Sequence, residues 1–437
     1  MKRTYGLDFG ASNSTISIVD SKGDAVKLPI DPLSPDPTIS PTILYYAQNQ
    51  CYAGAKADSH FKSTPIEDRG RIMREIKTCA TIADMSGTQV NGSYKEFNEI
   101  LSDYLSFVKT NADQLLGEKV DRVVIGRPAA YVDSPHKEKL AQDRIRAGAE
   151  KAGFESVHFS YEPVAATLDR VGTFDQKEIV LTFDFGGSTL DYHLLKINPG
   201  QTPETLAHGG LDFGGNDITR LLFETKLLTK FGAGLEYEMK ETHSKSVYRK
   251  TTKPEWRSTP AVLPRILLKY DTTMTARAIE EAVSVIREIE WESHQTWLPL
   301  TWLETCLRKN LIYPLFDAVE QTKIGLSDKK VTNLEFDKEG IVLNEAVTRE
   351  EFEQDLSRFQ GRLERSLNEL LAKAGIAREE VKGILTIGGS SKIPYYQQFL
   401  LAFFPQAKIH PGDLFGGVSK GLAKIGHEEL ADHFIDL

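Results

Sequence analysis

Two glycine-rich turns do most to limit what this chain can fold into. The first is Gly6-Leu7-Asp8-Phe9-Gly10-Ala11-Ser12-Asn13-Ser14, and the second is Asp184-Phe185-Gly186-Gly187-Ser188-Thr189-Leu190-Asp191. The first runs into Thr15-Ile16-Ser17-Ile18-Val19. The second lies between Ile179–Phe183 and Tyr192–Ile197. These flanks are β-branched or alternate in polarity, so both turns are expected at the tips of β-hairpins. Glycine lets main-chain N–H groups approach phosphate oxygens, and Ser12, Ser14, Ser188 and Thr189 add hydroxyl donors. Carboxylates alone would repel the same ligand. Asp8, Asp184 and Asp191 therefore suit a polyphosphate only with a hard cation between them, and Mg²⁺ keeping most of its waters meets that need.

A third strand-to-glycine turn follows the apolar run Gly383–Ile387, at Gly388-Gly389-Ser390-Ser391-Lys392-Ile393-Pro394. Each such turn by itself is an ordinary connection; several together change the weight. No Walker A pattern and no G-x-G-x-x-G occurs, which removes the main signature of P-loop and dinucleotide-binding folds.

At 437 residues the chain is long enough for two to four domains or one bilobed unit. A formal net charge of −9 disfavours a general nucleic-acid surface or a polybasic membrane face. Three widely separated cysteines, Cys51, Cys79 and Cys306, suit neither a disulfide framework nor a cysteine zinc site. With Met1-Lys2-Arg3 leading straight into the first strand, and apolar runs far shorter than the roughly 20 residues of a membrane span, a cytoplasmic protein is expected.

The segment from Thr4 to about Tyr52 reads as hairpins with a proline-rich connection. A helix is predicted near Phe97–Gly117, a strand at Val120–Ile125, a helix opening at Ser134-Pro135 and ending near Gly153, a strand at Val157–Tyr161, and a helix start at Glu162-Pro163. Gly209–Asp217 reads as a glycine-dense loop before a helix over Ile218–Phe231. One helix is predicted over Thr301–Gly325, strands near Val331–Phe336 and Ile341–Leu343, and one long helix over Thr348–Ala374. Residues 232–312 are the least legible, with a basic stretch Lys240–Arg257 and an acidic helix around Thr275–Glu292. The alternation indicates α/β layers.

Laid out this way, the chain resembles the nucleotide-binding domain of DnaK-type heat-shock chaperones, except over about 232–312. The resemblance implies a bilobed actin-like ATPase (ribonuclease H-like) α/β fold, two related mixed-sheet domains around a nucleotide cleft. Lobe I would be residues 1–178 and lobe II 179–437, with the variable insert in lobe II and the final helix a candidate to return to lobe I. The phosphate loops of the family match Gly10, Ala11, Ser12 and Asn13, and Gly186, Gly187, Ser188 and Thr189, and its loop near the γ-phosphate matches Gly214 and Gly215. Its catalytic lysine falls on Lys77 in Ile72-Met73-Arg74-Glu75-Ile76-Lys77, and its Glu-Pro-x-Ala-Ala helix start on Glu162–Ala166. Catalysis is thus expected of Lys77, Glu162, Thr189 and Asp184, with Asp8, Asp184 and Asp191 around the metal.

The family's adenosine helix is similar to Glu320–Ser327, where Glu320, Lys323 and Ser327 share one helix face. Its adenosine turn matches Gly388, Gly389, Ser390 and Lys392. Three positions depart from the pattern: Lys392 replaces an adenine-stacking arginine, Ala11 a hydroxyl residue, and His158 an arginine that relays nucleotide state outward from the proline at Pro128. After Pro411 the register slips, so nothing is carried to Asp413. No hydrophobic linker or β-sandwich peptide-binding domain is seen before Leu437. The implied function is a slow ATPase with chaperone-like action, using ATP/ADP and Mg²⁺ and working on protein clients or co-chaperones, with no nucleic acid or membrane partner. A sugar-type kinase, with Asp191 or Asp212 as base, and a non-catalytic scaffold or filament former are the alternatives.

Overall fold

The computed structural model describes residues 3–64, 68, 70–128, 135–170, 176–198, 203–239, 255–268, 276–411, 416–428, 430 and 434. Expectations placed on Ala129, Ser134, the basic residues 240–254 and Asp413 lie outside the described residues. The chain forms two compact units, residues 1–216 with 359–437, and residues 217–358.

The first unit holds two mixed sheets built to one plan. In the first sheet, Tyr5–Phe9 and Asn13–Val19 form an antiparallel hairpin, and Tyr5–Phe9 also pairs in parallel with Arg122–Arg127, which pairs in parallel with Ser156–Tyr161. Ala25–Lys27 and Ser40–Pro41 both join Asn13–Val19. In the second sheet, Glu178–Phe185 and Leu190–Ile197 form the hairpin, while Val381–Ile387 and Lys408–Pro411 supply the parallel strands. Strand orders mirror one another, each a hairpin extended on one side by parallel strands. Parallel neighbours require long crossovers, which explains the helices Phe97–Leu116, Pro135–Lys151 and Pro394–Phe403 between them.

These elements follow local chemistry. Helix Phe97–Leu116 buries Phe97, Ile100, Leu101, Tyr104, Leu105, Val108 and Ala112 along one stripe and ends at Gly117 in the left-handed region, φ 69°. Helix Gly417–His427 lies against strand Tyr5–Phe9 and helix Glu162–Arg170, and the fit is backbone-close. A Cβ on Gly421 would stand 1.7 Å from the Ala165 carbonyl oxygen, and one on Gly6 2.2 Å from the Ala423 nitrogen. Ser419 Oγ joins Thr15 and Ser17 at 3.0 and 2.8 Å, so the buried hydroxyls are mutually satisfied. Val124, Ala165, Ala166, Val180, Leu385, Ile387, Val418, Leu422 and Ile425 make one apolar cluster drawn from both sheets.

Within the second unit, hairpin Val331–Lys338/Ile341–Thr348 turns on Glu339 and Gly340, both at positive φ, and Thr348 with Glu351 forms a capping box on helix Arg349–Leu356. Four predicted spans differ. The helix expected over Ile218–Phe231 starts at Gly215 and ends at Lys226, followed by a separate tight turn at Leu228–Phe231. The helix expected over Thr301–Gly325 is two, Leu298–Arg308 and Ile312–Asp328, because Asn310 is left-handed at φ 48°. Pro314 sits in the first turn of the second helix, where a missing N–H costs nothing. The long helix over Thr348–Ala374 is likewise divided, into Arg349–Leu356 and Gln360–Ala374 with a tight turn at Ser357–Phe359. Gly209, Gly210 and Leu211 belong to strand Glu204–Leu211, paired with Leu190–Tyr192, and only the rest of that segment is loop and helix start. Residues 232–312 carry the hairpin Glu236–Met239/Glu255–Ser258 and helix Ala276–Ser293. Cys51, Cys79 and Cys306 are free thiols. Among the described residues no helix is long and apolar enough to cross a membrane.

Candidate functional site

Both phosphate-type turns are hairpin tips at the carboxyl ends of central strands, the end at which open α/β sheets offer ligands their main-chain donors. They face each other closely: a Cβ on Gly187 would stand 2.5 Å from Ser12 Oγ. In the first turn Gly10 sits over the Asn13 carbonyl, a Cβ there meeting it at 2.3 Å, and the Ser12 carbonyl accepts from the Thr42 N–H. Ala11 is buried while Ser12 and Asn13 are exposed. In the second turn the Gly186 N–H donates to the Thr189 carbonyl at 3.0 Å, leaving Gly186 through Thr189 half-buried.

The loop at Gly214-Gly215 folds onto that second turn. Gly215 N–H donates to the Gly186 carbonyl at 2.9 Å and Asn216 N–H to the Gly187 carbonyl at 2.7 Å. Only glycine fits at 214, where a Cβ would lie 2.3 Å from the Gly187 oxygen. The third turn reaches the same place. Gly388, at φ 76°, would bring a Cβ 2.3 Å from the Phe185 oxygen and 3.0 Å from Asp184 Oδ1, and Ser390 Oγ donates to the Gly186 carbonyl at 3.4 Å. Gly389 and Lys392 are exposed in the short helix Gly389–Lys392.

Beneath the tips lies a charged cluster. Asp184 and Asp191 sit directly opposite on the second hairpin, and both are buried. Lys77, in helix Ile76–Cys79, donates to Glu162 at 2.6 Å, with both side chains about nine-tenths buried. Glu162 opens helix Glu162–Arg170 and fits against Gly126, where a Cβ would lie 2.8 Å from its Cγ. Asp8 is half-buried as a residue, yet its carboxyl is pushed up to about 7, first by desolvation and then by the charge of Glu162, with Lys77 opposing. Asp184 is held well above the usual carboxylate range by burial first, then by Glu162, Asp191 and Asp8, again against Lys77.

The cluster thus gathers an excess of carboxyl groups, Asp8, Asp184, Asp191 and Glu162, around one lysine. A divalent cation would relieve that excess, and the donor set is all hard oxygen. Among the described residues no group of three or more His, Cys, Asp or Glu side chains is placed to hold a metal ion directly.

The remaining expected residues lie in the second unit. Glu320, Lys323 and Ser327 occupy one face of helix Ile312–Asp328; Lys323 is buried, donating to Thr219 Oγ1 at 3.0 Å and approaching Glu320 at 3.5 Å. At the other departure, the His158 ring stacks on Phe434 with centroids 4.3 Å apart. Two residues the sequence reading left without a role are Glu75 and Asn216, joined at 2.6 Å. Nothing in the sequence marks them except their neighbours Lys77 and Gly214-Gly215.

Comparison with known proteins adds the decisive observation: the Hsp70 protein family matches residues 4–253 and 305–413, most of the chain. The chain belongs to the Hsp70 family. It is similar to the chaperone protein DnaK of Thermus thermophilus, 23% identical over 95% of this chain and 59% of the relative. The chaperone protein DnaK of Mycoplasmopsis synoviae is 24% identical over 97% of this chain and 59% of the relative. A chaperone protein HscA homolog from Methylobacillus flagellatus is 23% identical over 92% of this chain and 54% of the relative. The chain therefore spans somewhat over half the length of these relatives. Hsp70 membership carries the actin-like ATPase fold, and the paired mixed sheets described above have that α/β character.

Proposed function

We propose that this Hsp70-family chain binds ATP and ADP between its two phosphate turns, hydrolyses ATP slowly, and acts in the cytoplasm as a chaperone-like ATPase on protein clients or co-chaperones. The observation that carries this is the approach of Gly187 to Ser12 above the Asp8, Asp184, Lys77 and Glu162 cluster. The names of the relatives, chaperone proteins DnaK and HscA, support the same role.

Main-chain N–H groups of Gly10 to Asn13 and Gly186 to Thr189, with those of Gly214 and Gly215, would cradle the phosphates. Magnesium, held through water by Asp8, Asp184 and Asp191, would neutralise charge on the transferred phosphoryl group when bound. Lys77 would contact the phosphate and the attacking water, while Glu162, Thr189 and Asp184 would orient that water. Phosphoryl transfer needs chiefly positioning and charge neutralisation, and this cluster offers both. Each within its own unit, Glu320, Lys323 and Ser327 in one and Gly388, Gly389, Ser390 and Lys392 in the other, are the candidates for contacts to adenosine. Residues 1–178 and 179–437 would act as lobes whose closure signals nucleotide state to protein partners.

Isothermal titration with ATP, ADP and GTP, with and without Mg²⁺, followed by phosphate release, tests the proposal. Magnesium-dependent binding of adenine nucleotides and slow phosphate release are expected. Absence of both would refute it, and transfer of phosphate to a sugar in place of water would reassign the site.

A further inference from the structure

Glu75 adopts the left-handed conformation, φ 52° and ψ 37°, immediately before helix Ile76–Cys79. For a residue other than glycine, asparagine or aspartate that conformation is uncommon and costly, so a contact that favours it carries weight. Here such a contact is at hand: Asn216 Nδ2 donates to Glu75 Oε1 at 2.6 Å, a bond to a charged acceptor and hence a strong one. Asn216 is itself fixed, since its N–H donates to the Gly187 carbonyl at 2.7 Å. Its Oδ1 lies 3.6 Å from where a Gly187 Cβ would stand, beside Ser12.

One asparagine therefore touches the second phosphate turn through its backbone and the lysine-bearing segment through its side chain. The lysine side is a helix of only four residues, with Ile76 and Cys79 buried in the core and Lys77 paired with Glu162, so the chain direction at Glu75 is what remains to be set at its start. With Glu75 released from the left-handed region, the direction in which the chain enters that helix changes, and Lys77 two residues later moves with it.

We propose that the Asn216–Glu75 hydrogen bond is a clasp that sets the position of Lys77 relative to the second phosphate turn, making both residues positioning residues for phosphoryl transfer. The kinetic part rests on the ATPase function proposed above. The structural part does not.

The test uses the full chain, the variants Asn216→Asp and Glu75→Gln, and the two combined. Asn216→Asp sets a carboxylate against a carboxylate. Adding Glu75→Gln restores a hydrogen bond with donor and acceptor exchanged. Single-turnover phosphate release from magnesium-ATP is expected to fall about tenfold in Asn216→Asp, with the ATP Kd changing by less than about threefold, and to return to within about threefold of the parent in the double variant. Amide hydrogen exchange over residues 76–80 of the nucleotide-free protein should accelerate in Asn216→Asp and slow again in the double variant. An Asn216→Asp protein with parental rate and exchange, or a double variant no better than Asn216→Asp, overturns the clasp. Should the parent protein fail to turn over ATP, the ATPase proposal fails, and exchange over residues 76–80 alone decides the clasp.

Discussion

Lys77 and Glu162, 85 positions apart in the chain, form a buried ion pair at 2.6 Å. The pair places a cation beside the clustered aspartates, and it ties a four-residue helix of one segment to the first turn of another. Its removal exposes two effects at once, one on catalysis and one on stability.

Lys77→Ala should reduce phosphate release by on the order of 100-fold or more, since a positioned charge at the transferring group is lost. It should also lower the stability of the nucleotide-free protein by roughly 3 kcal/mol, because Glu162 is left buried without its partner. Adding Glu162→Gln should recover much of the stability and none of the activity. Denaturant unfolding alongside single-turnover kinetics separates the two.

The pH response of the nucleotide-free protein should run opposite to that of an ordinary paired carboxylate. Asp8, at about 7, and Asp184, also raised, bind protons more tightly folded than unfolded. The contribution of Asp8 is fully present below the unfolded value near 3.8 and is lost as pH rises through about 7, and that of Asp184 is lost in the same direction, as pH rises above the usual carboxylate range. Thermal melts between pH 5 and 8 without magnesium should show this loss, and Asp8→Asn should flatten it. Magnesium-ATP binding should in turn release protons near neutrality, measurable as buffer-dependent heat in titration.

Two glycines should separate packing from ligand binding. Gly421→Ala drives a methyl to 1.7 Å from a main-chain oxygen, which cannot yield easily, so a loss of at least about 1–3 kcal/mol is expected as a lower denaturant midpoint with unchanged slope. Gly187→Ala meets only the tip of Ser12, a side chain free to rotate. Its stability should stay within about 1 kcal/mol of the parent while ATP affinity falls.

Lys392 is exposed at the end of the third turn and lacks the planar face that stacks on a base. Lys392→Arg should tighten ATP binding a few-fold without altering stability, an effect of the order of a cation–π contact. Equal affinities by calorimetry would remove this residue from the adenosine site.

Much of the site was legible because its chemistry is local. Gly186-Gly187 between two β-branched runs can hardly be other than a hairpin tip, and Glu162-Pro163 opens a helix for reasons contained in four residues. Breaks at Asn310 and Ser357–Phe359 were not legible, since the apolar spacing continues across both and only the left-handed backbone or the docking of Phe359 on Phe213 ends the helix. Strand Glu204–Leu211 was half hidden, as Gly209 and Gly210 carry no side chain to alternate; the ring of Tyr192 lies 2.8 Å from where a Gly209 Cβ would be. The amino-acid order by itself determined the elements, the hairpin tips and the kinds of atoms each tip presents, because hydrogen bonding and periodicity act over a few residues. Tertiary structure alone decided that Lys77 meets Glu162, that Asn216 grips Glu75, and that the carboxyls of Asp8 and Asp184 are pushed above their usual range, because these depend on burial and on charges brought together from distant segments.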